Sequence, residues 1–568
     1  MKRQIIIVLA LMGAMLTTHT ASAQVRVGGA TMNRDVMMAW DFAELSRTQT
    51  FGTSRAMGMG GAFTSLGADM TSMTLNPAGL GMYRGNEFSI TPLVSLGRAE
   101  TANTQEWAGN SANQFAMSNV GAVMNVFQSG SRTVSSLTVG FGINRIADFN
   151  TRTSFSYESR FDPASGKPVS SIADAFAQQL QFSYKDGPIL PDKAEDGSPN
   201  GHLAYRDPYF WPAVMAYKSA MIHLNSAGNR WGRDAIGHNA SILRSMDAIN
   251  SGSINEFEIS VGANIQNIVY FGATIGIQNV HKTTDFVYGE DYGYFNNEDG
   301  RARNAAGNLL PAQLDYADLW QRTVLDGVGA SLKLGIIVRP VAGLRLGVAF
   351  HTPTYYSLDR SYMGGMDYLL QSHQEQTADE GRVESPAQYD EAGNSWDFIS
   401  PSRLMLGASY TFGRFAIVSV DYERDWYNGI RVKNTPGGIA FSKEDYKMDM
   451  KENFCATNAL RAGIELRPMP SLAVRLGGGY TTSMLKDEEL AYEIPQTTTS
   501  HYFTAGLGVN FSRNVTLDAA YQNLTENQSS YRLFYSEAPA YDGISPTSEL
   551  FSSKLTRHFI TLTLGVRF

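Results

Sequence analysis

Nine histidines and one cysteine are scattered through 568 residues. No His–Ser or His–Asp constellation falls at the tops of neighbouring expected strands, as nucleophilic catalysis would need. Phosphate-cradling loops, metal-ligand clusters and an HExxH helix are missing from the sequence too. Neither enzyme activity nor a metal or cofactor is expected. Cys455 has no partner for an intramolecular disulfide and reads as a bystander thiol. The residues left with chemical capacity are arginines on alternate positions of period-two stretches: Arg345, Arg461 and Arg475. A guanidinium holds a carboxylate with two parallel hydrogen bonds, and Glu465 and Asp518 are carboxylates available in stretches of the same kind.

Those stretches alternate. In "LRLGVAFHT", Leu344, Leu346, Val348 and Phe350 oppose Arg345, Gly347, Ala349 and His351. In "NALRAGIELRP", Leu460, Ala462, Ile464 and Leu466 oppose Arg461, Gly463, Glu465 and Arg467. The closing "RHFITLTLGVRF" follows the same script, with Phe559 the one misfit on its polar side. That side is glycine, threonine, asparagine and arginine rather than the Lys and Glu of a sandwich exterior. It is the mixture expected inside a water-filled or plugged lumen. The composition agrees: 54 glycines, 11 % aromatic and only 18 % charged residues suit neither a soluble secreted enzyme nor a helical membrane protein. A net charge of −8 argues against a nucleic-acid partner.

Lys2 and Arg3, the apolar run 5–16 and Ala21-Ser22-Ala23 read as a signal peptide over 1–23, leaving Gln24 as the first mature residue. No later apolar run is long enough for a transmembrane helix. Strands are expected near 86–98, 114–127, 133–147, 255–266, 267–280, 324–339, 342–355, 400–412, 414–424, 457–467, 471–481, 501–511, 514–524 and 556–568. Every second connection is tight ("QSGSR", "IQN", "RPVAG", "FG", "RPMPS", "SRN"), and the intervening ones are long. Short turns at one end and long loops at the other mark outer-membrane barrels, whereas a sandwich scatters its loop lengths. The expected fold is therefore all-β, a transmembrane antiparallel barrel of about fourteen strands over 86–568, in the outer membrane of a Gram-negative cell. Both termini are expected at the short-turn, periplasmic end. The insertion 151–254 carries helix-like pieces, "SIADAFAQQLQF" and "ASILRSMDAI", that suggest a cap over the mouth or a surface for a partner. Phe568 on the last strand looks like the signal read by the barrel-assembly machinery.

Residues 24–85 precede the first strand and cannot span a bilayer. A fourteen-stranded lumen leaks unless something fills it. The glycine- and methionine-rich "GMGGAFTSLGADMTSMTLNPAGLGMYRG" suits a close-packed plug, because small residues allow backbone approach and methionine fills irregular gaps. Pro77 sets a turn after Asn76 that directs the chain into the first strand.

The stretch "SRAMGMGGAFTSLGADMTSMTLNPAGL" resembles the N-terminal hatch of the FadL/TodX family of outer-membrane transporters for long-chain fatty acids and other hydrophobic compounds. The matching residues are Ser54, Arg55, Ala56, Gly60, Gly61, Ala62, Ala68, Asp69, Asn76, Pro77 and Ala78, with one extra residue before the glycine pair. "LKLGIIVRPVAGLRLGVAFHTP" is similar to a hairpin of the same family, and "PSRLMLGASYTF", "VDYERDW", "LRAGIELRP" and "LAVRLGGGY" fit later hairpins. The insertion 151–254 is longer than the family's usual outer loop.

The resemblance implies passive uptake of a hydrophobic small molecule. Ligand is captured by outer loops, held beside a movable hatch (Gly60, Gly61, Asn76, Pro77, Ala78) and released sideways into outer-membrane lipid at an inward kink of a strand. Capture residues are expected in a loop 281–323 (Tyr316, Leu319, Trp320) and a loop 356–399 (Tyr362, Met366, Tyr368), and Arg345, Arg461 and Arg475 are candidates for a ligand carboxylate. A monomer is expected. A FadL-like barrel that serves as a secretion shuttle in a type IX-like system is the alternative.

Overall fold

The computed structural model describes residues 27–568 apart from 33–35, 103–109, 130–132, 183–207, 226–229, 234, 296–300, 305, 373–376, 386–393, 438, 440, 488–494 and 539–545. The signal-peptide expectation over 1–23 lies outside the described residues. Fourteen antiparallel strands close into one barrel. In chain order they are β1 Glu87–Ala102, β2 Asn110–Gln128, β3 Val134–Asp148, β4 Ala240–Ile265, β5 Val269–Phe295, β6 Ala312–Val341 and β7 Leu344–His351. The second half comprises β8 Arg403–Phe412, β9 Ala416–Trp426, β10 Ala456–Met469, β11 Leu472–Thr481, β12 Thr497–Asn510, β13 Val515–Gln528 and β14 Leu550–Arg567. β14 returns to pair with β1, from Glu87 opposite Arg567 to Ala102 opposite Ser552, which closes the ring.

Alternation is what closes the barrel the right way out. Leu346, Val348 and Phe350 are exposed, and Gly347 and Ala349 between them are buried. The same holds for Leu562 and Leu564 against Thr561 and Thr563. A continuous exposed apolar band on a closed barrel, its backbone hydrogen bonds made between strands, is the form that a hydrocarbon solvent requires. This is an outer-membrane β-barrel. Among the described residues no helix is long and apolar enough to cross a membrane.

Three strands reach far past the bilayer. β4, β5 and β6 are 26, 27 and 30 residues long, whereas about 9–11 suffice to cross. Their upper halves form a sheet outside the membrane, joined by Thr151–Ser159 on β4 and by Tyr355–Ser372 on β6. Two expectations are corrected here. The regions 281–323 and 356–399 are largely paired strand rather than loop, and "ASILRSMDAI" is the upper part of β4 rather than helix, because pairing with Thr151–Ser159 and β5 outweighs its local spacing. "SIADAFAQQLQF" does form a helix, Ile172–Phe182, buried on nearly every side in the outer mouth. Its Asp174 pairs with Arg233 at 3.1 Å. Burial pushes that carboxyl above the usual carboxylate range, and the Arg233 guanidinium pulls it back.

Candidate functional site

The N-terminal segment runs down the inside of the barrel. Its first described residues, Val27–Gly28, pair with Tyr535–Ser536 in the long connection between β13 and β14. The described chain thus begins at the long-loop end, not at the short-turn end as expected. Below this, the helix Ala39–Leu45 buries Phe42 against Phe398 and Trp396, with centroids 5.0 and 5.9 Å away. Tyr446, on the helix Lys443–Asn453, donates its hydroxyl to Met37 O at 2.8 Å. Glu44 meets Lys282 at 2.7 Å and Arg47 meets Glu526, so these two charges carried into the lumen find wall partners.

The lower part packs by backbone approach to wall glycines. A Cβ on Gly463 would stand 2.2 Å from Met59 O, one on Gly347 2.2 Å from Thr64 O, and one on Gly272 2.1 Å from Pro77 C. The inward glycines therefore make room for a second chain, and this is why the polar face of the sequence is so rich in them. Gly60 and Gly61 both adopt left-handed backbone, φ +66° and +68°. A Cβ on Gly60 would also stand 2.6 Å from Gly478 N. Wall groups complete the seam. Thr504 Oγ1 donates to Gly58 O at 3.0 Å, Tyr502 to Gly60 O at 2.8 Å, and Thr64 N to Asp421 at 2.7 Å. Arg55 reaches Glu465 at 3.2 Å. Phe559, the misfit of the last strand, faces inward onto Phe51 of the segment, edge to face at 5.2 Å.

Asn76 anchors the exit. Its side-chain amide donates to Thr64 O at 2.6 Å, and its Oδ1 accepts from Ala78 N at 3.1 Å. Its backbone is ordinary extended chain, φ −143°, so no unusual dihedral is needed. Pro77 opens the 3-10 turn Pro77–Met82, which packs on β4, β5 and β6 before the chain enters β1.

The wall is incomplete at one place. β2 pairs with β3 only from Asn119 opposite Asn144 down to Gln128 opposite Ser136. Above this, β2 residues 110–118 pair with β1 alone, and β3 continues on β4 alone. Burial then ceases to alternate: Asn144 through Phe149 are all buried, so this end of β3 has turned into the lumen. Its freed backbone groups are taken by the N-terminal segment. Gln49 N donates to Ile146 O at 2.8 Å, and Asp148 N donates to Gln49 Oε1 at 3.0 Å. Outside lies a notch of ≈ 610 Å³ lined by Phe115, Met117, Ile143 and Phe257, with Gln114, Arg145 and Asn255. Inside, Ala147, Asp148 and Phe149 line a cavity of ≈ 190 Å³. A single strand separates the two.

That cavity has two sides. Met37, Trp40, Phe149, Met246, Leu325 and Leu555 are apolar, while Glu44, Arg47, Lys282, Glu526 and Arg557 supply mutually compensating charges. None of the nine ligand candidates named from sequence lines it. Arg475 is held by Glu465 at 2.7 Å and Asp518 at 2.5 Å, and Arg461 by Glu423 at 2.8 Å. Arg345 is half-buried near the short-turn end and has no ion pair among the described residues. Leu319, Tyr362 and Met366 are buried in the cap, where Tyr362 lies 5.9 Å from Trp211 and Met366 Sδ accepts from Ser219 at 3.0 Å. Tyr316 and Tyr368 donate to Glu380 and Asp379, and the Arg382 guanidinium lies over Trp320. Sequence reading missed Met37 and Trp40, although the helical spacing of "VMMAWDFAEL" was an available signal.

No family model matches the sequence, and no curated protein matches it. Among solved structures, the chain is similar to a crystal structure of the P. putida toluene transporter TodX. The two share 11 % identity with a TM-score of 0.45, over 92 % of this chain and 99 % of that one. It is also similar to a Pseudomonas aeruginosa FadL homologue, at 11 % identity and TM-score 0.48, over 92 % and 99 % of the two chains. The CymD monoaromatic hydrocarbon channel follows at 12 % identity and TM-score 0.42, over 91 % and 97 %. At these identities and scores the likeness says nothing about a ligand.

Proposed function

We propose that this barrel is a passive outer-membrane channel for hydrophobic compounds such as long-chain fatty acids, with residues 24–85 as its hatch. The observation that carries the reading is the gap between β2 and β3, where one inturned strand lies between the lumenal cavity and a lipid-facing notch. Lateral release keeps an apolar ligand out of an aqueous path, which the hydrophobic effect favours. Gln49 holds the inturned strand through both of its bonds, so movement of the segment at this point loosens the inner wall of the exit. The buried helix Ile172–Phe182 suits a lid that shifts when ligand enters better than a surface offered to a secreted partner.

The test is to close the notch. Gln114→Cys and Arg145→Cys, whose native side chains meet at 3.1 Å across the gap, are joined by a short bifunctional thiol reagent in a Cys455→Ser background. Uptake of a radiolabelled long-chain fatty acid or monoaromatic hydrocarbon into cells should fall on stapling, and a reducible linker should restore it. Uptake that is indifferent to the staple contradicts the lateral route.

A further inference from the structure

We infer that the short-turn rim of the barrel is a binding surface for anionic phospholipid headgroups of the adjoining leaflet. The observation is a ring of arginines that the transport reading leaves unused. Arg84 stands where the N-terminal segment enters β1, Arg339 near the end of β6, Arg414 in the β8–β9 turn and Arg513 in the β12–β13 turn. Arg467 and Arg567 close β10 and β14. No lysine occurs in these turns, although the whole chain carries a net charge of −8. Arg467 and Arg567 are paired with Glu465 and Glu87. Among the described residues Arg84, Arg339, Arg414 and Arg513 have no carboxylate partner. Arg84, Arg414 and Arg513 are exposed and Arg339 is half-buried.

The neighbours of these arginines choose the occupant. Phe412 and Phe415 flank Arg414, Phe511 lies two residues before Arg513, and Val341 two after Arg339; all four are exposed at the lower edge of the apolar band. The guanidiniums of Arg339, Arg414 and Arg513 are thus tied to side chains that enter hydrocarbon, which puts them at the depth of the lipid phosphates. Guanidinium grips phosphate with paired hydrogen bonds, and cations beside an anionic leaflet gain from its surface potential. The arginines also follow an arc from β6 round to β1, as an annulus of lipid does and a patch for one acidic protein does not.

Full-length barrel in zwitterionic detergent is titrated with phosphatidylglycerol or phosphatidylcholine of matched chains, and bound lipid is counted by native mass spectrometry. Phosphatidylglycerol should be retained in preference. Combined Arg84→Gln, Arg339→Gln, Arg414→Gln and Arg513→Gln should weaken it about tenfold or more, while the same positions changed to lysine keep most of the effect. Equal retention of both lipids, or unchanged affinity in the glutamine variant, overturns the inference. Displacement by equimolar inorganic phosphate assigns the rim to a free anion, and displacement by polyglutamate assigns it to an acidic protein; either overturns the lipid assignment. Should the glutamine variant fail to fold, the native chain decides. Its heat-modifiability midpoint must be higher in phosphatidylglycerol than in phosphatidylcholine vesicles at low salt, and equal midpoints overturn the inference.

Discussion

Asn76 and Gly335 meet where the N-terminal segment touches the wall. The Asn76 side chain spans two backbone positions of its own segment, Thr64 O and Ala78 N, and a Cβ on Gly335 would fall 1.8 Å from its Oδ1. Asn76→Ala leaves a buried carbonyl and amide without partners and should cost about 1–3 kcal/mol. Gly335→Ala should be destabilising by steric conflict with that same side chain. The two must therefore couple: Gly335→Ala should cost less in the Asn76→Ala background, by about 0.5–3 kcal/mol in a double-mutant cycle on the reversible unfolding of the barrel. Strict additivity would mean that Asn76 does not lie against β6. At this scale the sequence disclosed part of the arrangement. Asn-Pro-Ala was legible as a turn, and the inward glycines as a polar face. That Gly272, Gly347 and Gly463 face backbone of Pro77, Thr64 and Met59 was not, because close approach leaves no trace in the glycine beyond its lack of a side chain.

The fourteen wall strands were legible because each alternates over a length that only a two-faced strand explains. The inturned end of β3 was not. Residues 145–149, "RIADF", continue a plausible strand, and nothing local reports that both faces of it are inside protein. The cap was half legible. Ile172–Phe182 has helical spacing and is a helix, whereas "ASILRSMDAI" has similar spacing and is strand, since its ladder partners lie far back along the chain in Thr151–Ser159 and ahead of it in β5. Leu319, Tyr362 and Met366 looked like capture residues because apolar side chains were assigned to loops; as paired strand they form the floor of the cap. The Asp174–Arg233 pair ties the helix to the part of the insertion that leads into β4, with both side chains buried. Arg233→Met would strand an unpaired carboxylate, at a cost of about 3–5 kcal/mol. Amides of 172–182 should then exchange hydrogen faster at neutral pH, while the wall strands keep their protection. Unchanged exchange in the helix would show that the pair does not hold the cap.

The molecule as a whole is a barrel closed twice, from above by the insertion between β3 and β4 and along its length by its own N-terminal segment. The segment is fastened at the outer end by Val27–Gly28 on the β13–β14 connection, at mid-height by Glu44–Lys282 and Arg47–Glu526, and at the lower end by Arg55–Glu465 and Asn76. None of these contacts supports the wall ladder, which closes by strand pairing alone, so the segment is separable in principle from the barrel. The most direct measurement is single-channel conductance in planar bilayers, comparing the full chain with one from which residues 24–75 are removed and whose barrel is verified by heat-modifiability. A filled lumen predicts a nearly silent full chain and large, steady openings after removal, because the cross-section then admits water and ions. A folded, truncated barrel with the conductance of the full chain would contradict the account.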